Sequence, residues 1–435
     1  MRKVRKIGLF TCVALVTANM VGTGVFTSLG FQLEAVNGVS AVLLLWLVGG
    51  LFAAAGALCY AELASLLPRS GGEYQFLREI YHPALGWMAG VISFVAGFAA
   101  PVALAALAFQ EYMGAFFPRL RGESFPWLAL SLVFLVTAVH SVDLRTSSVF
   151  QNIFSVLKLL LVLGFIALGF YFGNAANLEW EPPAELVGDV FSAPFAVSLM
   201  FALYAYSGWN AVTYISGEVR NPQRTIGVAL MLATGLVTFL YVCLNLSFLL
   251  ISHPDILRGK LDIARIVAQE LFGELGGSVV SVLIGLGLVS SISAMTWAGP
   301  RVSQVMGEDF RAIRYLAKVN AGGIPQRALL CQSALVVLII LIAPFRSILL
   351  FTQFALIVSS LLTVCGVIVL RVRQPDVERP FRCWGYPVTP LLFISICIFT
   401  MGYTLLHQAT EALVSVAFLG VTLLCYPLIN GLKQK

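Results

Sequence analysis

Val21-Gly22-Thr23-Gly24-Val25-Phe26 lies in the middle of the uncharged run 7–33. A second interruption, Tyr206-Ser207-Gly208-Trp209-Asn210, lies near the middle of another uncharged run, 190–217. Glycine lets a backbone leave helical geometry at little steric cost. A helix broken at such a point offers free N–H groups and a positive dipole end on the half that follows. It offers free carbonyls on the half that precedes. A zwitterion needs both: N–H groups for a carboxylate and carbonyls for an ammonium, with no charged side chain required. The competing reading is that small residues let membrane helices pack closely. A second break at a matching position weighs against it.

The rest of the chain sets these breaks in a bilayer. Of 435 residues, 59% are hydrophobic and only 11% are charged, where a soluble protein carries about 25% charged residues. Runs free of Asp, Glu, Lys and Arg cover 7–33, 35–61, 83–110, 124–142, 190–217, 225–254, 275–300, 328–345, 347–370, 383–410 and 412–432, and 146–178 has a single lysine. A bilayer core needs about 20 apolar residues per helix, so each run is long enough to span, allowing for tilt. The runs lack strand-like alternation, which favours helices over a β-barrel. They are numbered here as spans 1 to 12. The first is too long for a signal-peptide core and has no clear small-residue cleavage site, so it is expected to be retained.

Lysine and arginine placement gives the expected orientation. With the N-terminus in the cytoplasm, the cytoplasmic segments hold 20 of the 27 basic residues, the outer loops hold 6, and Lys158 lies inside the membrane. Both termini are therefore expected inside a cell (inner) membrane. The net charge of +6 is then a topology signal and not a nucleic-acid surface. The eight cysteines are scattered, mostly in apolar stretches, without metal-ligand spacing. The four histidines (82, 140, 253, 407) are dispersed. No metal and no cofactor is expected.

One membrane domain is expected over 1–435. Interrupted segments in the first and sixth spans point to an inverted five-plus-five repeat with a midplane site, about 7–178 and 190–371, followed by two further helices over 383–432. Several motifs then occur in order: Met20-Val21-Gly22-Thr23-Gly24-Val25-Phe26, Cys59-Tyr60-Ala61-Glu62-Leu63, Pro68-Arg69-Ser70-Gly71-Gly72-Glu73-Tyr74, Gln151-Asn152-Ile153 continuing to Leu157-Lys158-Leu159, Tyr204-Ala205-Tyr206-Ser207-Gly208-Trp209-Asn210 with Gly217-Glu218-Val219-Arg220-Asn221-Pro222, and Pro375-Asp376-Val377-Glu378-Arg379-Pro380. In these the chain resembles the amino acid–polyamine–organocation (APC) superfamily, in its L-type amino acid transporter-like branch. The resemblance implies an all-α transporter with the same five-plus-five fold. It implies that the substrate carboxylate meets N–H groups around Thr23 and Gly24, in the break at Gly22, with the Thr23 hydroxyl assisting. The ammonium would meet carbonyls near Met20, Tyr204 and Ser207. The substrate side chain would extend toward spans 3, 6, 8 and 10, and Ser207 and Gly208 leave it room. Tyr206 and Trp209 would form an aromatic gate or pocket wall, or else pack against lipid or core.

Lys158 is the one ionisable residue deep inside the runs. It lies twelve residues past Thr146, roughly 18 Å along a helix, which is far for a lysine to snorkel. An intramembrane charge is expensive and reads as functional. In relatives of the resembled family that are coupled to sodium, a sodium ion sits between span 1 and span 8, beside span 5. The resemblance implies that the Lys158 ammonium replaces it, bonding carbonyls near Gly22 or the hydroxyls of Ser290, Ser291 or Ser293. Sodium-independent transport follows, with Lys158 coupling to protons or acting as a fixed strut in an exchanger. Glu62, Arg69 and Glu218, at the cytoplasmic ends, are weaker candidates for a gate, with ordinary surface pairing as the alternative.

No Asp or Glu lies in the predicted pocket segments, and a cationic side chain would want a carboxylate partner. A neutral amino acid is therefore expected as the substrate. A polyamine or other organic cation is the alternative among carriers, and a channel is the alternative outside them. An enzyme would need a nucleophile cluster, metal ligands or a carboxylate pair at one depth, and the sequence shows none. The resemblance also raises an accessory glycoprotein, disulfide-linked in animal relatives through the loop after span 3. That loop, 114–123, has no cysteine here, so no such link is expected. A homodimer through spans 11 and 12 stays open.

Overall fold

The structure is a computed structural model that describes residues 7–36, 38–67, 69, 71–114, 116, 125–142, 146–178, 180–320 and 324–431. Side chains of 142, 146–155, 183–185, 217, 218 and 431 are outside that description. The architecture among the described residues is all helical, apart from one isolated parallel bridge between Ile7 and Val219.

Span 1 is two helices, α1 (Leu9–Met20) and α2 (Gly24–Ala35), bent by 42° at the intervening residues. Span 2 is α3 (Val39–Leu66), and a short helix α4 (Glu73–Ile80) follows it. Span 3 is α5 (Pro83–Ile92) and α6 (Ala100–Met113), joined by a π-helical stretch over Ser93–Ala99. Then come α7 (Trp127–Val142), α8 (Thr146–Phe172) and the short α9 (Pro183–Val190). Span 6 begins as α10 (Ala193–Ala205), whose first turn is capped by the Ser192 hydroxyl accepting from the Phe195 N–H. After the turn residues 206–210 it continues as a 3₁₀ helix, Ala211–Glu218. The chain goes on with α11 (Pro222–Ile251), the one-turn α12 (Pro254–Leu257), α13 (Ile263–Asp309), α14 (Gln326–Ile342), α15 (Phe345–Arg373), α16 (Val388–His407) and α17 (Ala409–Gly431).

Among the described residues, seven helices are long and apolar enough to cross a membrane, and the bent pair α1–α2 makes an eighth. Four shorter apolar helices, Trp127–Ser141, Val156–Phe172, Ala193–Ala205 and Gln326–Ile342, occupy further predicted runs. A helix is the economical way through lipid, because it satisfies its own backbone polar groups. The exposed leucines and phenylalanines of α7, α8 and α17, such as Phe134, Leu160 and Leu424, fit a lipid-facing surface. The buried core instead gathers around the two breaks, with Met20, Val25, Trp46, Tyr206 and Tyr241 all 0–2% exposed.

Candidate functional site

The two breaks lie against each other. Gly24 opens α2, and a Cβ there would lie 2.6 Å from the Ala205 Cα at the end of α10. Gly208 has φ +93°, and a Cβ on it would meet Asn19 at 3.1–3.2 Å. Both glycines are thus required, one for close approach and one for a left-handed backbone. The two chain segments cross where neither continues as an α-helix.

Tyr241 of α11 fastens this crossing. Its hydroxyl lies 2.6 Å from the Met20 carbonyl oxygen and 3.1 Å from that of Ala205, the last residues of α1 and α10. One hydroxyl thereby reaches the open carbonyl ends of both broken helices. On the other side of the break, the first turn of α2 lies at its positive dipole end; the Phe26 N–H donates to the Thr23 carbonyl at 3.1 Å, which leaves those of Gly24 and Val25 without a partner inside the helix. Thr23 precedes this turn without capping it. Its carbonyl accepts from the Thr27 hydroxyl at 3.0 Å. Of the carbonyls expected for an ammonium, that of Met20 already accepts from Tyr241, and that of Tyr204 accepts from the Ser207 N–H at 2.9 Å. Each keeps a second lone pair. Gly22, Ser207 and Gly208 are half-buried, whereas Thr23, Tyr204, Tyr206 and Trp209 are buried.

The two aromatic rings expected at a gate pack into neighbouring helices. The Tyr206 hydroxyl donates to the Trp46 carbonyl of α3 at 2.9 Å, and the ring packs on Trp46 and Tyr241. Trp209 stands edge-on to Tyr60 of α3 at 4.7 Å and nears Phe393 of α16 at 6.4 Å. Away from the break, the Phe31 ring of α2 stacks on Phe201 and Phe345 at 5.3 and 5.8 Å.

Lys158 of α8 is buried, and its Nζ donates to Ser291 Oγ of α13 at 3.0 Å. Its stem runs over Gly287, where a Cβ would come within 2.9 Å of the Lys158 Cγ. The hydrogen bond that holds Lys158 thus goes to Ser291, and not to the carbonyl of Gly22. Ser290 is buried next to Ser291. Ser293 is not joined to Lys158; its hydroxyl pairs with His140 Nε2 of α7 at 2.8 Å.

Among the described residues, Glu62 does not pair with Arg69. It accepts from Arg371 Nη2 at 2.6 Å and from the Cys383 N–H at 2.7 Å, and it forms an ion pair with Arg379 Nε at 3.3 Å without a hydrogen bond, all from α15 and the segment after it. The Glu218 side chain, Pro68, Ser70 and most of the loop 114–123 lie outside the described residues.

Three residues escaped the sequence reading. Tyr241 had no signal beyond being an aromatic in an apolar run. His140 reads in the sequence only as one of four dispersed histidines. Glu73 belongs to a quoted motif but received no role, although a carboxyl flanked by Gly71-Gly72 and an amphipathic turn was a visible cue. Its Oε1 accepts from the Tyr60 hydroxyl at 2.5 Å, Ser360 at 3.1 Å and the Asn210 amide at 3.3 Å, and its Oε2 accepts from Ser359 at 2.6 Å. A carboxyl from a loop thus reaches Asn210, just past Gly208. Its acceptor positions are filled by groups of the chain itself.

Comparison with known proteins covers nearly the whole chain. The family described as Amino acid permease matches residues 7–424. The chain is 27% identical over 439 residues to the human (Homo sapiens) b(0,+)-type amino acid transporter 1, covering 97% of this chain and 87% of that one. It is 26% identical over 434 residues to the same transporter of Mus musculus, with the same coverage. It is 26% identical over 402 residues to the human Large neutral amino acids transporter small subunit 2, covering 89% of this chain and 74% of that one.

Proposed function

The chain belongs to the amino acid permease family, and from that premise we propose that it is a sodium-independent secondary transporter of neutral amino acids. It is a permease and not an enzyme. It works by alternating access in the plasma membrane, as an exchanger or a proton-coupled carrier. Twelve spans form one domain with inverted repeats over 7–178 and 190–371, two further helices over 383–432, and both termini in the cytoplasm.

The observation that carries this reading is the contact of the two breaks, Gly24 on Ala205 and Gly208 on Asn19. The first turn of α2 supplies N–H groups for a carboxylate. The carbonyl ends of α1 and α10 supply acceptors for an ammonium. Met20, Gly22, Thr23, Gly24, Tyr204, Ser207 and Gly208 form this frame, with Tyr206 and Trp209 bracing it from behind. Neutral side chains are favoured because the carboxyl that reaches Asn210, Glu73, is occupied by the hydroxyls of Tyr60, Ser359 and Ser360. Sodium independence rests on Lys158, whose ammonium binds Ser291 on α13. An accessory subunit linked through a cysteine of the loop 114–123 does not fit this sequence, which has none there.

The test is uptake by reconstituted liposomes of each neutral amino acid, of lysine and of a polyamine, in sodium and in choline buffer. Saturable, stereoselective uptake of neutral amino acids, unchanged by choline, is the expected result. Sodium dependence overturns the role of Lys158. Preference for the polyamine overturns the substrate, and non-saturable flux overturns the carrier.

A further inference from the structure

Glu73 belongs to no part of the transport frame, yet it is 2% exposed and joins three elements. Its carboxyl takes Tyr60 from α3, Asn210 from the break in span 6, and Ser359 and Ser360 from α15. Among the described residues no cation pairs with it; the titratable groups that face it are Tyr60 and Tyr214. The helix that carries it is anchored on its other side. Tyr74 and Arg78 both bind Asp309 at the end of α13, at 2.5 and 2.6 Å. Adjacent residues of α4 therefore hold opposite partners. Tyr74 grips α13, and Glu73 grips span 6 and α15.

The gripped segment is one whose position is not fixed by its own backbone. Residues 206–210 form turns, and Ala211–Glu218 is a 3₁₀ helix with a kink at Ile215. Such helices have poorer hydrogen-bond geometry than α-helices, so tertiary contacts decide where the segment sits. The geometry points to Glu73 as the latch of the cytoplasmic gate. In its closed form the carboxyl holds Asn210 against α15 and α3, and opening toward the cytoplasm breaks these bonds together. Glu73 acts through Asn210 and is a positioning residue that does not touch the substrate. The word cytoplasmic rests on the orientation proposed above; the latch itself rests on the hydrogen bonds.

Glu73→Gln keeps the shape but turns one acceptor oxygen into an amide donor, which cannot accept from the hydroxyls that bind there. Asn210→Ala removes one partner and leaves Glu73 intact. Two readouts apply to both variants. The first is KM for the transported amino acid, measured separately from the two faces in oriented vesicles. Loss of one such bond shifts a two-state equilibrium by up to about tenfold. KM from the outer face is therefore expected to rise, and KM from the inner face to fall, by up to that factor, with maximal rate held. The second readout is hydrogen–deuterium exchange of the segment 206–218 in nanodiscs, which needs no substrate and is expected to speed up. If both KM values and the exchange stay at wild-type levels in the folded variants, the latch is wrong. Loss of thermal stability alone, with KM symmetric and exchange unchanged, also overturns it. Faster exchange in a chain that carries no amino acid keeps the latch and removes the substrate reading instead.

Discussion

Gly24→Ala probes the contact on which the site depends. The added Cβ would sit 2.6 Å from Ala205 Cα and 2.9 Å from Ala205 Cβ, while carbon atoms attract best at about 3.5–4.0 Å. Ala205 Cα is backbone and has no rotamer to escape into, so α2 and α10 must separate by about 1 Å. Overpacking of this kind costs about 1–3 kcal/mol. The gain from replacing a helical glycine with alanine offsets at most about 1 kcal/mol of it. The same displacement moves the N–H groups of α2 away from the carbonyl ends of α1 and α10. A carboxylate seated at about 2.8 Å from those N–H groups would then fall outside hydrogen-bond range. One such bond lost to a charged group is about 1.5–3 kcal/mol, or at least about tenfold in affinity. The assay is thermal unfolding of the purified protein with and without the amino acid that stabilises it most among all twenty. Gly24→Ala should unfold a few degrees lower and bind at least about tenfold more weakly. Gly164→Ala is the control, because a Cβ at Gly164 of α8 meets nothing within 4 Å. It should leave binding unchanged and hold or slightly raise stability. Wild-type affinity and stability in Gly24→Ala would refute the abutting-break reading, as would equal damage from Gly164→Ala.

Tyr241→Phe removes the hydroxyl shared by Met20 and Ala205 and should cost about 1–3 kcal/mol, read by thermal unfolding, with weaker ligand binding. Lys158→Met keeps the length of the side chain and removes the bond to Ser291. Neutral replacement of a buried charge is often tolerated by a fold, so folded protein with lost transport is expected in liposomes, and full transport would count against the role of Lys158. Glu62→Gln weakens the hold on Arg371 and Arg379, the latter 8% exposed, and should destabilise by about 3 kcal/mol in thermal unfolding. Burial holds the Glu73 carboxyl above its ordinary value near 4.5, outweighing the hydroxyls of Ser359, Tyr60 and Ser360. The folded chain thus binds the proton more tightly than the unfolded one, and stability falls as pH rises from about 4.5 through the raised value. The stability of Glu73→Gln relative to wild type should therefore climb over that window and stay flat below it; a difference independent of pH refutes the shift.

The long apolar helices were legible because lipid permits long uncharged runs and little else, and both breaks were legible as glycines. Several features were not. Which way Tyr206 and Trp209 face could not be extrapolated, because helical periodicity ends at Ala205. The second half of span 6 reads as an apolar run but forms a 3₁₀ helix. Tyr241 and Met20 are 221 residues apart, and Glu62 and Arg371 are 309 apart. No local pattern encodes such pairs. Lys158 shows the boundary well: its burial followed from its depth in a run, while the choice of Ser291 over the Gly22 carbonyl depended on how α8 lies on α13.

The placement of charge separates binding from motion. At the crossing of the breaks the groups at hand are backbone dipoles and the hydroxyls of Thr23, Tyr204 and Tyr241. A zwitterion brings both of its own charges, and a frame of dipoles needs no resident ion to be neutralised when the site is empty. Three buried ionisable groups lie elsewhere, and each joins the first half of the chain to the second. Lys158 reaches Ser291, Glu73 reaches Asn210, Ser359 and Ser360, and Glu62 reaches Arg371. In a low-dielectric interior such bonds are stronger, and costlier to leave unmade, than on a wet surface. Any movement of these two halves against each other must therefore break or carry these contacts. Substitutions at the crossing should change affinity from both faces alike. Substitutions of the three ions should instead redistribute the conformations the carrier visits, so that the two faces respond in opposite directions.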